Sequence, residues 1–333
     1  MSERKVGQLS FADGAVAAVA GSNEVLVRLL AMLDWSPIEA LLSELRSGRM
    51  GAPAYPALVM FKALLLQRWY ALSDPALEEA LKDRLSFRHF IGLPVTEALP
   101  DHSTLWRFRE AMGPRLCEAV FMEVNRQIEA SGFVMKQATL IDASLVPAAV
   151  KAPSPPSGEL PPDADGRPAS KLVKSEHDPD AAWTRKDGRY HFGYKLHAAM
   201  DQTSRIVRRL IVTPANVNDT VVADDLICGD EAMVYADKAY DTHARSERLA
   251  SRGANGIMRR GHKRMKLGPD EVARNQRLAR MRGTIEPLFA LFKNVYGLAR
   301  ARHRGLSRNT AAALIAATAM NLKRWARYAP TPA

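Results

Sequence analysis

The chain has 333 residues, 47% hydrophobic and 25% charged, the profile of a soluble globular protein with room for one large domain or two ordinary ones. Its most apolar stretches, 58–66 and 311–322, fall short of the roughly 20 residues of a membrane span, and residues 1–20 lack the pattern of a signal peptide. Two cysteines without CxxC spacing, Cys117 and Cys228, suit buried thiols in a reducing cytoplasm and argue against a thiolate zinc site.

Residues 1–132 read as a helical domain. Apolar residues recur at three-to-four spacing in "VLVRLLAML" (25–33), "PIEALLSEL" (37–45), "ALVMFKALLLQRWYAL" (57–72) and "PALEEALKDRL" (75–85). Pro56 and Pro75 sit where first turns accept proline, and Ser36 and Asp74 are expected caps. A further helix opens in "PDHSTLWRFREAM", with Ser103 the expected cap and Trp106, Arg107 and Arg109 in its first turns. This order fits a helix-turn-helix that offers Arg107 and Arg109 to a DNA groove, and it equally fits ordinary helical packing.

The texture turns to β after Lys136. Strands are expected at 138–146 ("ATLIDASLV"), 190–200 ("YHFGYKLHAAM"), 205–213 ("RIVRRLIVT"), 232–237 ("AMVYAD") and 255–260 ("NGIMRR"), with helices at 219–227 and 242–251. Between the first two strands, residues 151–187 read as an insert, and 151–171 is rich in Pro, Ser and Gly without periodicity. The chain is helical again after Leu267, ending in "TAAALIAATAMNLKRWARY" (310–328). Three strands, a helix, a strand, a helix and a strand make a mixed five-stranded α/β sheet over 133–300, followed by a basic helical segment, 301–333, expected to pack on that core.

Charge is uneven along this order. Residues 251–333 hold 18 Lys and Arg against three acids, a surplus of 15, which leaves the first 250 residues at −4 of the overall +11. A basic third on a near-neutral body points to a polyanion, of which nucleic acid is the commonest.

Three carboxylates stand out against this background. Asp142 lies inside an apolar strand, a costly place for an unpartnered charge, and Asp237 closes another. Each alone is also what a turn or helix cap looks like. Glu286 interrupts the apolar run "RGTIEPLFALFKN"; offsets of four and seven residues bring Arg282, Glu286 and Lys293 to within roughly 60° on a helix. Pro287 places a helix start near Thr284, so Glu286 is also a plain dipole-favoured acid at an N-terminus. Together the three acids fit a site for a hard cation, which takes oxygen ligands alongside substrate phosphate. Asp219 and Asp241 read as helix starts with capping roles, and His191 and His197 as packed residues on one strand face.

The element order, with "LIDASLV", "HFGYKLHAAMD", "TPANVNDT", "ADKAYD" and the Arg282–Glu286–Lys293 spacing, resembles a DDE transposase of a bacterial insertion sequence, closest to the family-five branch beside family four. The resemblance spans nearly the whole chain. It implies an RNase H-like core in which Asp142, Asp237 and Glu286 are catalytic and hold two Mg²⁺ ions, with Mn²⁺ able to substitute. It further implies that Arg282 and Lys293 contact phosphates near the scissile bond while Arg300, Arg302, Arg304 and Arg308 follow the backbone. The expected partners are the double-stranded DNA of the element ends and target, and a second copy of the chain in the synaptic complex. The other class of reading is a DNA-binding protein without catalysis. Where the family-four signature has a tyrosine three residues before the arginine, this chain has Ala279, and Asn218 stands where relatives often carry histidine.

Overall fold

The computed structural model describes Gly14 and residues 23–46, 54–153, 175–261 and 266–329. The chain divides into two compact units, one of Met1–Phe133 with Leu314–Ala333 and one of Val134–Ala313. Most of the Pro-rich stretch, from 154, lies outside the described residues.

The first unit is helical, with α1 (Glu24–Met32), α2 (Ser36–Leu42), α3 (Ala57–Trp69), α4 (Asp74–Asp83), α5 (Leu85–Ile91) and α6 (His102–Ala130). Helix α3 is apolar nearly all round and buried along its length, so it forms the centre of the unit. Three caps differ from expectation by a short step; Ser36 is the first residue of α2, whose N-cap is Trp35 without a side-chain cap bond. Ser73, not Asp74, caps α4 by accepting from the Ala76 amide, and Asp101, not Ser103, caps α6 by accepting from the Thr104 amide at 2.6 Å. Helix α6 breaks at Gly113 (φ 57°, ψ 177°), ahead of Pro114, whose ring cannot continue the hydrogen-bond ladder.

The basic C-terminal segment does not behave as one piece packed on the sheet. Its helix, α11 (Leu306–Tyr328), starts in the second unit, but from Leu314 onward it belongs to the first. There the Trp69 indole donates to the Ala319 carbonyl at 2.7 Å and the Asn321 amide donates to Asn125 Oδ1 at 2.8 Å. Two buried polar groups on an alanine-rich helix are thus satisfied inside the helical unit.

The second unit is built on a six-stranded mixed sheet: β1 (Thr139–Pro147), β2 (Ala182–Lys186), β3 (Arg189–Asp201), β4 (Val207–Pro214), β5 (Val234–Ala236) and β6 (Asn255–Ile257). The order is β2-β3-β1-β5-β6, with β4 also paired to β3. Pairs β1–β3, β2–β3 and β3–β4 are antiparallel, whereas β1–β5 and β5–β6 are parallel. Three antiparallel strands continued by two parallel ones follow the order expected of the mixed sheet, with one strand more than expected among the described residues. The extra strand, β2, lies within the segment expected to be a plain insert. Short α7 (Ala223–Leu226) and α8 (His243–Ala250) pack on one face with Ile141, Ala199, Val234 and Ala236. No helix among the described residues is long and apolar enough to cross a membrane.

Candidate functional site

The parallel pairing of β1 with β5 fixes the position of the two aspartates. Thr139 is opposite Val234 and Leu140 opposite Tyr235, so continuing the register sets Asp142 abreast of Asp237 just beyond the end of β5. In-register residues on neighbouring strands point to the same face, opposite to that of Ile141 and Ala236. Asp142 Oδ1 accepts from the Ala143 amide at 2.9 Å, and its Oδ2 accepts from the Arg282 guanidinium at 3.1 Å. Burial pushes the Asp142 carboxyl above the ordinary carboxylate range and nearby Asp237 pushes the same way, against the Ala143 amide, Arg282 and Lys186. Asp237 caps the short 3₁₀ turn Lys238–Tyr240, accepting from the Ala239 amide at 2.7 Å. Asp237 thus has the capping role that its sequence also allowed.

Arg282 ends α9 (Pro269–Arg282), and a 3₁₀ turn at Gly283–Ile285 leads into α10 (Glu286–Asn294). The backbone is thus helical before Glu286 as well as after it, and Arg282 closes a preceding helix instead of lying ahead of the first. The 3₁₀ turn interrupts the α ladder where Pro287 would otherwise remove a bond. It packs against β1, and Arg205 donates to its Thr284 carbonyl. Glu286 is exposed in the first turn of α10, four residues after the arginine that holds Asp142. Lys293, in the last turn, has its proton affinity lowered by burial and then by Lys186.

Two residues that the sequence reading passed over belong to this site. Lys186, at the end of β2, acts electrostatically on both Asp142 and Lys293. The Asp187–Gly188 pair between two alternating runs is a strong hairpin signal and points to this strand end. Tyr240 is 1% exposed, its hydroxyl has no hydrogen-bond partner among the described residues, and the charges acting on it are Asp219, Asp142, Asp237 and Arg282. Nothing in "ADKAYD" distinguishes that tyrosine from a packing residue.

The rival carboxylates are engaged. Asp219 accepts from Lys195 Nζ at 2.7 Å, while Asp241 accepts from the Ser246 hydroxyl at 2.7 Å and the Arg260 amide at 2.9 Å. His197 is buried, with Nε2 2.9 Å from Thr213 Oγ1, and burial lowers its pKa to about 4. Among the described residues, the group of potential ligand atoms lying within 4.8 Å of one another is Cys228, Asp230 and Glu231, not the three acids above. Arg208 and Lys136 already neutralise it, with Arg208 contacting Asp230 at 2.7 Å and Lys136 at 2.8 Å, which leaves a poor cation site. The Asp142–Asp237 pair suits a hard cation better, because its donors are carboxylate oxygens on adjacent strands.

The expected phosphate contacts fare unequally. Arg109 is 9% exposed and forms a bidentate pair with Asp74, both bonds 2.8 Å, so it is spent inside the helical unit and is withdrawn as a groove contact. Arg107 is exposed and reaches only Ser103, at 3.4 Å. Arg300, Arg302 and Arg304 are exposed, though Arg300 also donates to the Ala148 and Ala149 carbonyls at 2.8 and 3.1 Å.

Two family models match the chain: "Transposase domain (DUF772)" over residues 16–111 and "Transposase DDE domain" over residues 135–322. A solved structure of a piggyBac transposase synaptic complex with hairpin DNA is similar at a TM-score of 0.45 and 11% identity, covering 90% of this chain and 73% of that one. At that score it carries no argument about the site.

Proposed function

The chain belongs to the Transposase DDE domain family, and on that premise we propose that it binds the terminal inverted repeats of an insertion sequence of the family-five branch and catalyses Mg²⁺-dependent strand cleavage and transfer. The observation that carries this reading is the in-register pair of Asp142 and Asp237, with Arg282 held on Asp142. Asp142, Asp237 and Glu286 are the proposed ligands of two Mg²⁺ ions. Bound there, Mg²⁺ supplies an activated water for attack on the phosphodiester and charge stabilisation for the leaving oxygen.

The chain's own residues do the rest. Asp142 and Asp237 present oxygens from adjacent strands, and Glu286 presents a third from a helix start tied to β1 through Arg282. Arg282 and Lys293 meet the non-bridging phosphate oxygens in this reading, where positive charge serves the transition state most. Arg302, Arg304 and Arg107 bind DNA backbone, and two copies hold the two ends. Glu286→Gln is expected to bind terminal-repeat DNA as wild type does and to lose cleavage and joining in Mg²⁺; cleavage at the wild-type rate would remove Glu286 from the site.

A further inference from the structure

The hairpin formed by β2 and β3 is unlike the rest of the sheet. Its two-residue turn, Asp187–Gly188, has positive φ at both positions (51° and 75°), the geometry that Asp-Gly favours. Lys186 and Arg189 pair directly across the turn, and Arg185 pairs with Tyr190. Like charges placed directly opposite destabilise a strand pair, so this tip is built against its own stability in the free protein. None of Arg185, Lys186 and Arg189 is paired with a carboxylate among the described residues.

Side-chain alternation sorts the hairpin into two faces. One carries Trp183, Arg185, Tyr190 and Phe192. Phe192 and Trp183 root it in the core cluster with Ala148 and Tyr194. Tyr190 extends beyond that root, 49% exposed, braced edge-on by Trp183 at 6.2 Å and covered by the Arg185 guanidinium at 5.6 Å. The other face carries Lys186 and Arg189, which pair directly with each other. An exposed aromatic packed by its neighbours, beside cations that form no salt bridge among the described residues, is the pattern of a single-strand nucleic-acid surface.

We propose that this hairpin grips a DNA strand at the element end, with Lys186 and Arg189 on its phosphates and Tyr190 stacked on an adjacent unpaired base. The proposal rests on the transposase reading above and adds a DNA contact outside the acidic triad. It also accounts for the cost of the tip, because phosphate placed between Lys186 and Arg189 removes their repulsion.

The test uses the full chain and duplex DNA carrying the terminal repeat, with a fluorescent 2-aminopurine at the end positions. The Lys186→Gln/Arg189→Gln variant is expected to lower cleavage at least tenfold and to reduce the salt slope of DNA binding by about two, roughly 0.9 per lost phosphate contact. Tyr190→Ala is expected to abolish the 2-aminopurine change, and Tyr190→Trp to restore it. If these variants bind, cleave and report as wild type does while Glu286→Gln is inactive, the hairpin assignment is overturned and the transposase reading stands. If Glu286→Gln cleaves normally, the active-site reading falls, while the salt slope and base signal still decide whether the hairpin holds DNA.

Discussion

Burial without a partner is the common thread at the level of single residues. Tyr240 carries a phenol into an apolar cluster, and its hydroxyl has no hydrogen-bond partner among the described residues. Tyr240→Phe removes no protein hydrogen bond, so stability to urea should stay within about 1 kcal/mol of wild type or rise, because an unsatisfied polar atom is deleted. Lys62 shows the same tension in the helical unit. It is 8% exposed, with Nζ 4.4 Å from the Trp35 ring centroid, and burial lowers its pKa to about 8 against a weaker opposing pull from Glu39. The folded chain therefore releases this proton before the unfolded chain does, which makes the contribution to stability rise with pH from about 8 to about 10.5 and stay flat below 8. The difference in unfolding free energy between wild type and Lys62→Met, followed across that window, should show a change on the order of 1–3 kcal/mol. The ring contact softens it by holding the charged form.

The same scale shows what single positions reveal in a sequence. Asp142 and Asp237 are legible because a charge in an apolar strand is costly and each run is short enough to read. Arg109 is not legible: its partner Asp74 lies 35 residues earlier, and only the packing of α4 on α6 brings them together. An arginine in the first turns of a helix after a short helix looks the same from sequence whether it meets a phosphate or a carboxylate.

At the level of elements, helices and long strands were readable from periodicity, and the failures sit where local signals compete. Strand β2 has five residues, of which the last two are exposed, and it follows a Pro-rich stretch that invites assignment to a loop. Pro287 was read as the start of a helix; the chain instead keeps helical dihedrals through the turn and lets a 3₁₀ segment absorb the missing donor. Strand β3 makes its own demand at Gly193, where φ is +153° and an added Cβ would lie 2.3 Å from the Val146 carbonyl oxygen and 2.6 Å from the Ala148 nitrogen. Both neighbours are backbone at the end of β1 and cannot swing away. Gly193→Ala should cost at least about 1–3 kcal/mol from conformation alone, with the clash in addition. Thermal unfolding measures it directly, and a variant as stable as wild type would show that the β1–β3 crossing has slack.

For the whole molecule, the net charge of +11 overstates what is available to DNA, because several cations of the basic third already serve the fold. Arg274 donates to the Ile257 and Asn255 carbonyls at 2.9 and 2.8 Å, tying α9 to the end of β6, and Arg300 donates to two carbonyls after β1. Arg304 is exposed. Charge therefore divides into a structural share and a share free to displace counterions, and only the second enters the salt dependence of binding. Arg304→Gln should reduce the slope of log K against log salt by about 0.9 and leave the unfolding midpoint unchanged. Arg274→Gln should do the reverse, losing about 1–2 kcal/mol of stability as two carbonyls lose a charged donor, with the slope intact. Measuring both quantities on both variants separates the two shares. Equal effects on slope would mean that Arg274 leaves its carbonyls for phosphate when DNA is bound, and that α9 is held less firmly than its bonds in the free protein imply.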